Sequence, residues 1–113
     1  MDLTRKDFHE LFLEAVDSAL SSLGDSARLS VYFHLEKKFD IRRDQIPSQV
    51  EDFDRGLEKI FGVGTLFLEV LIMKKLYEGM GPGKILKLDE SKGFRFVEYV
   101  KAAERVYSEV GRG

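Results

Sequence analysis

Cysteine is absent from the 113-residue chain. Disulfides, thiol nucleophiles and thiolate metal sites are thereby excluded, and stability must come from an ordinary core. Asparagine is absent as well, and glutamine occurs only at Gln45 and Gln49. With 34% charged residues, that shortage of thermolabile amides leans toward a thermophilic source. An excess of one charge is also missing: 18 Lys and Arg against 20 Asp and Glu leave a formal −2. No global field then draws the chain to nucleic acid or to an anionic membrane. Long apolar runs are lacking too. The longest, Val63 to Met73, is broken by Glu69 and is too short to span a bilayer. The first residues, MDLTRKDFHELF, are acidic and amphipathic where a signal peptide needs a basic start and an unbroken apolar stretch. A cytoplasmic location is expected.

What is present is a globular composition, 43% apolar, in a chain long enough to bury roughly two-thirds of its unfolded surface. A single domain over residues 1–113 is expected. Apolar residues at Phe8, Leu11, Phe12, Ala15, Val16, Ala19, Leu20 and Leu23 repeat at three and four, one face of a helix, with Thr4 to cap its start and Gly24 to end it. A second helix is predicted from Asp25 or Ser26 to about Phe39. Its inward side carries Val31, Tyr32, Leu35 and Phe39, and Phe33 projects elsewhere. DIRRDQIPS then forms a connection, with Pro47 holding Ile46 extended. Ser48 and Glu51 have capping-box spacing and open a third helix, whose buried stripe is Val50, Phe53, Leu57, Ile60 and Phe61. Gly56 in that stripe points to a close helix approach.

The fourth helix is expected over Val63 to Tyr77, at the centre of the bundle. A glycine-rich connection follows, with an extended piece at Ile85 to Leu88, and a last helix runs from about Ser91 to Val110 with Phe94, Val97, Val100, Ala103, Val106, Tyr107 and Val110 inward. The fold class is all-α, a bundle of about five helices. Phe12, Val16, Leu20, Val31, Leu35, Phe53, Leu57, Phe61, Leu66, Val70 and Ile72 are its expected core.

No motif in the chain carries a recognised chemistry. The pair Gly62-Val63-Gly64 has Phe67 where a dinucleotide fingerprint needs its third glycine, and a charged amphipathic helix where it needs a strand. Gly62 is read instead as the end of one helix, with Gly64 letting the next begin tightly against it. In Gly81-Pro82-Gly83-Lys84 the lysine is followed by Ile85 rather than the Ser or Thr that holds magnesium in a P-loop. Neither His9 nor His34 has a glutamate three residues before it, as a di-metal bundle requires. The serines lack a nucleophile elbow. No catalytic residue, cofactor or metal site is assigned, and the chain is not expected to be an enzyme.

Two polar residues stand out as candidates for a buried polar site. Glu69 shares a helix side with Thr65, Ile72, Met73 and Leu76, where a carboxylate needs a partner or a shifted pKa. An ion pair with a basic side chain of another helix is the expected partner. His34 lies on the shoulder of the second helix, where a hydrogen-bonded structural role is the default. In SKGFRFVEYVKAAERVY, cations alternate with aromatics in a manner that can serve nucleic-acid stacking. The aromatics follow helical spacing, however, and Glu98, Glu104 and Glu109 dilute the charge, so a packing helix is favoured.

From Tyr32-Phe33-His34-Leu35-Glu36 through Ile46-Pro47 to the run Phe61-Gly62 to Leu76-Tyr77, roughly residues 8–81, the chain resembles the Nitrosopumilus output domain of the fifth type. That family is known mostly from archaea, both as stand-alone proteins and attached to signalling proteins. The resemblance implies a helical regulatory or interaction module and transfers no functional residues. Its scope leaves out the last helix. The leading functional expectation is therefore a protein–protein interaction or regulatory module. The alternatives are a nucleic-acid-associated protein and a small enzyme using Glu69. A homodimer is expected, because Phe33, Phe67 and Leu68 look away from their stripes and Phe96 and Tyr99 sit on the flanks of the last helix.

Overall fold

The computed structural model describes residues 6–81, 86 and 93–110. Over these residues the chain is an all-α bundle of five α-helices: α1 (Phe8–Ser21), α2 (Asp25–Phe39), α3 (Val50–Phe61), α4 (Thr65–Gly79) and α5 (Phe96–Val110). Two short 3-10 turns, Arg43–Ser48 and Gly62–Gly64, lead into α3 and α4.

The central pair is α1 against α4. Phe8, Leu11, Phe12, Ala15, Val16, Ala19 and Leu20 of α1 are all buried, as their spacing requires. Each large side chain removed from water there contributes roughly 1.5–3 kcal/mol. Asp7 caps the helix, its Oδ1 accepting the Glu10 amide at 2.8 Å. Thr4, the cap expected from sequence, lies outside the described residues, as do Ile85, Leu88 and Ser91. The C-cap is Ser22, and Gly24 (φ 108°) instead sits at the start of α2.

Gly56 brings α3 against α2: a Cβ there would stand 2.7 Å from Leu35 Cδ2. That close approach is as the sequence predicts. The capping box is not. Ser48 Oγ donates to Gln45 O at 3.0 Å, closing the preceding 3-10 turn, and Gln49 caps α3 without a side-chain bond. The turn itself is opened by Gln45, whose Oε1 accepts from the Arg42 amide at 2.9 Å.

In α4 the inward face differs from the expected one. Thr65, Leu68, Glu69, Ile72, Met73 and Leu76 are buried, whereas Leu66 is exposed, and Val70 and Phe61 are only half-buried. This helix is apolar nearly all round, so periodicity could not choose a side. The rotation is set by Thr65, whose hydroxyl donates to Gly62 O at 2.7 Å and reaches Leu57 O at 3.2 Å. Gly62 ends α3 with a positive φ of 58°, as expected. Gly64 has φ −75° and nothing within 4 Å of a Cβ, so no tight packing demands it.

The last helix begins at Phe96, later than its apolar pattern suggests, because Gly93 to Arg95 lie outside any helix. With that start, Phe96, Val100 and Ala103 form the buried row. Phe96 packs between Phe12 of α1 and Phe53 of α3, ring centroids 6.2 Å from each. Leu68, expected to look away from the stripe of its helix, and Phe96, expected on the flank of the last helix, are thus both core residues. Phe94 stacks on Tyr99 at 4.9 Å, and Phe8 meets Tyr107 at 6.3 Å. The aromatics of this region are packed on their own bundle rather than offered as stacking platforms.

Candidate functional site

An acid-lined cleft lies between α3, α4 and the start of α5. It is built by three local choices. The ridge Glu51, Asp54 and Glu58 follows three-and-four spacing on the side of α3 away from Gly56 and Leu57. The rotation of α4 fixed by Thr65 turns Glu69 into the bundle. Arg95, Glu98 and Lys101 at the start of α5 close the far side. One lobe, about 480 Å³, is lined by the α3 ridge, Glu69 and the start of α5. The other, about 500 Å³, runs toward Gly62, Val63, Thr65 and Leu66. Glu58, Glu69 and Phe94 line both lobes.

Glu69 is the focus. It is 6% exposed, and its Oε2 has no hydrogen-bond partner among the described residues. Burial pushes its carboxyl up from the ordinary 4.5 to about 9, and the Asp54 carboxyl, as hydrogen-bond partner and as charge, and the Glu58 charge push the same way. A lone carboxylate in a poorly hydrated site is expensive to ionise, and anionic neighbours add to the cost. Glu69 is therefore neutral at physiological pH. The ion pair expected for it is not found among the described residues. The neighbours that α3 supplies are acids, because α3 turns its charged ridge, not its basic Lys59, toward α4.

The basic groups at the rim are otherwise engaged. Lys101 Nζ lies 3.8 Å from Glu51 Oε1, and Arg95 Nη1 lies 3.7 Å from Glu98 Oε1, both pairs exposed. Asp54, Glu58 and Glu69 have no basic partner among the described residues.

His34 does not line this cleft. It sits half-buried on α2 with its ring edge-on to Phe33, centroids 5.8 Å apart. The two residues predicted as a buried polar site are therefore separate, and only Glu69 is fully buried. His9 is exposed on α1. Among the described residues no group of three or more His, Asp or Glu is placed to hold a metal ion. Nor is any helix among them long and apolar enough to cross a membrane.

A second polar cluster escapes the sequence altogether. Asp17 of α1 accepts from Tyr32 Oη of α2 and from Arg43 Nη2, and its Oδ1 also accepts from Arg43 Nε at 3.0 Å. Burial alone would raise the Asp17 carboxyl, but the hydrogen bonds from Arg43 and Tyr32 and the Arg43 charge hold it below its usual value. Burial first, then the hydrogen bond to Asp17 and the Asp17 charge, push the Tyr32 phenol well above its ordinary range, against an opposing pull from Arg43. This triad ties α1, α2 and the first 3-10 turn together. Its chemistry is that of a structural clamp: a bidentate guanidinium–carboxylate pair with a phenol donor.

An apolar corner adjoins the cleft. Val63 is 98% exposed, Phe67 80% and Leu66 49%. The left-handed turn at Gly62 throws Val63 outward, and the rotation of α4 that buries Leu68 and Glu69 leaves Leu66 and Phe67 outside. Leu29 and Phe33 are a second exposed pair, one turn apart on α2. No family profile, curated protein or solved structure matches the chain.

Proposed function

We propose that the protein is a non-catalytic helical regulatory or interaction module, and that it meets a protein partner, in the first instance a second copy of itself, through the corner formed by Val63, Leu66 and Phe67. The observation that carries this reading is the corner itself. The bundle closes its core over Phe12, Phe53 and Phe96, yet leaves three large apolar side chains outside at one helix junction. Isolated exposed apolar residues need no explanation, but a cluster rimmed by charge is the usual mark of an interaction surface. The resemblance of residues 8–81 to a signalling output domain points the same way. With a formal charge of −2 and an acid-lined main cleft, the chain gives little purchase to nucleic acid.

Light scattering at micromolar concentration tests the homodimer. Twice the 13.0 kDa chain mass is expected for the native protein, and the single-chain mass for Phe67→Ser. A native mass that stays at 13.0 kDa on concentrating refutes the self-association.

One observation favours a second reading. Glu69 and Asp54 form a carboxyl pair in a cleft, the arrangement from which acid–base catalysis is built. Against it, the cleft is open along two lobes, and no histidine, serine or tyrosine lines it among the described residues. Turnover of any substrate that is abolished by both Glu69→Gln and Asp54→Asn would favour the enzyme over the module.

A further inference from the structure

We propose that the cleft between α3, α4 and the start of α5 is a receptor for one basic side chain, the ammonium of a lysine or the guanidinium of an arginine carried by a bound protein segment, with Glu69 at its floor. This rests on the interaction-module reading, and its apolar wall shares Val63 and Leu66 with the dimer contact tested above.

Three observations converge on it. First, Asp54, Glu58 and Glu69 have no basic partner among the described residues: Lys101 and Arg95 lie at the edge beside Glu51 and Glu98, and the Asp54 and Glu58 charges bear on Glu69. Second, Glu69 Oε2 is buried without a hydrogen-bond partner, in a residue only 6% exposed that lines both lobes. An unsatisfied buried oxygen with acids on its open side is completed by a donor that brings positive charge. Third, no group of carboxylates among the described residues is placed to hold a metal ion, whereas an ammonium or guanidinium asks only for hydrogen-bond acceptors and not for a closed shell of oxygens. The source is a protein segment rather than a free amine because Val63 and Leu66 form the wall of one lobe. That apolar wall is useful only to a ligand with an apolar flank.

The electrostatics add a signature. Around Glu69 stand Glu51, Asp54 and Glu58 from α3, Thr65 on its own helix, and Arg95, Glu98 and Lys101 from the start of α5. An incoming cation favours the ionised form of Glu69, which is neutral in the free protein, so binding expels a proton. Linkage then requires affinity to rise with pH, up to about tenfold per unit, until the carboxyl ionises unaided near pH 9.

The test uses the full chain, with its glutamate and aspartate side-chain carboxyls followed by carbon-13 NMR. The probes are three: acetyl-Leu-Lys-Leu-amide, its Lys→Met counterpart, and n-butylammonium chloride, with sodium chloride as the ionic-strength control. Saturable shifts of Glu69 and Asp54 are expected with the lysine peptide, with affinity at least tenfold above the methionine peptide and above butylammonium. Between pH 6 and 8 that affinity should rise at least several-fold in the native protein and stay flat in Glu69→Gln. Shifts no larger than those from sodium chloride overturn the receptor. Equal affinity for butylammonium and the lysine peptide overturns the protein-segment source, and a flat pH profile in the native protein removes Glu69 from the site. A folded monomer that binds the lysine peptide sinks the dimer alone; since Val63 and Leu66 serve both contacts, the titration is repeated on Phe67→Ser, and a native dimer whose Phe67→Ser monomer is indifferent to the peptide sinks the receptor alone.

Discussion

Replacing Glu69 by glutamine should stabilise the protein, and increasingly so as the pH rises. An acid whose value is raised on folding binds its proton more tightly in the folded state, so the folded state holds the extra proton between the two values. For Glu69 that window runs from the ordinary 4.5 to about 9. Its contribution is intact at low pH and is lost as the pH climbs, the reverse of an ion-paired carboxylate. One proton costs at most about 1.4 kcal/mol per pH unit, so the full window has a ceiling of about 6 kcal/mol. The cleft admits water and relieves part of the penalty, which brings the expected loss to the order of 3 kcal/mol by pH 8. Against a total stability of about 5–15 kcal/mol this is large. Glutamine has the shape of the protonated acid, keeps an N–H to offer Asp54 and does not titrate. Near pH 4.5 the two proteins should therefore unfold at similar urea concentrations. By pH 8 the midpoint of Glu69→Gln should lie higher by about 1–3 M, for a denaturant slope near 1–3 kcal/mol/M. Parallel pH profiles, or a glutamine variant less stable than the parent at pH 8, would refute the reasoning. Either result would mean that folded Glu69 is ionised and compensated.

Two further expectations concern packing and the clamp. Gly56→Ala puts a methyl 2.7 Å from Leu35 Cδ2, and Leu35 is wholly buried, so it has no room to yield. Overpacking of about 1–3 kcal/mol set against about 1 kcal/mol of helix propensity leaves a net loss near 1 kcal/mol; in a Leu35→Ala background the same change should become neutral or stabilising, and a urea double-mutant cycle reads the difference. Asp17→Asn should cost about 1–2 kcal/mol at pH 7, modest because the Arg43 side chain is 44% exposed. Because folding lowers the Asp17 value, that cost should fade as acid protonates the native carboxylate, and a cost unchanged at low pH would count against the clamp.

The sequence made the helices legible where one face is apolar and the other charged. In α1, Phe8 through Leu20 fall on one side without ambiguity, and all are buried. In α4 the same method failed, because Leu66, Phe67, Leu68, Val70, Leu71 and Ile72 offer apolar groups in every direction. The deciding contact is a hydroxyl reaching back to Leu57 and Gly62, a tertiary fact with no periodic signal. Glu69 was legible as a buried acid, since its helical neighbours are apolar. Its companions were not: Asp54 and Glu58 look like an ordinary solvated ridge until α4 is laid beside them. The Asp17, Tyr32 and Arg43 clamp was invisible for the same reason, being assembled from three successive elements whose relative placement leaves no periodic signal.

The junction of Phe12, Phe53 and Phe96 has a consequence for how the molecule comes into being. Its three rings belong to α1, α3 and α5, and the central partner of α1 is α4 rather than its sequence neighbour. A ribosome releases these parts in order. While α2 and α3 emerge, the apolar face of α1 lacks its main mate, and the aromatic junction cannot close until α5 has left the exit tunnel. Closing such distant contacts costs loop entropy before any burial compensates it. The bundle is thus built to close in one late, cooperative step once α5 is out, and a nascent chain halted after α3 is the form most in need of a chaperone.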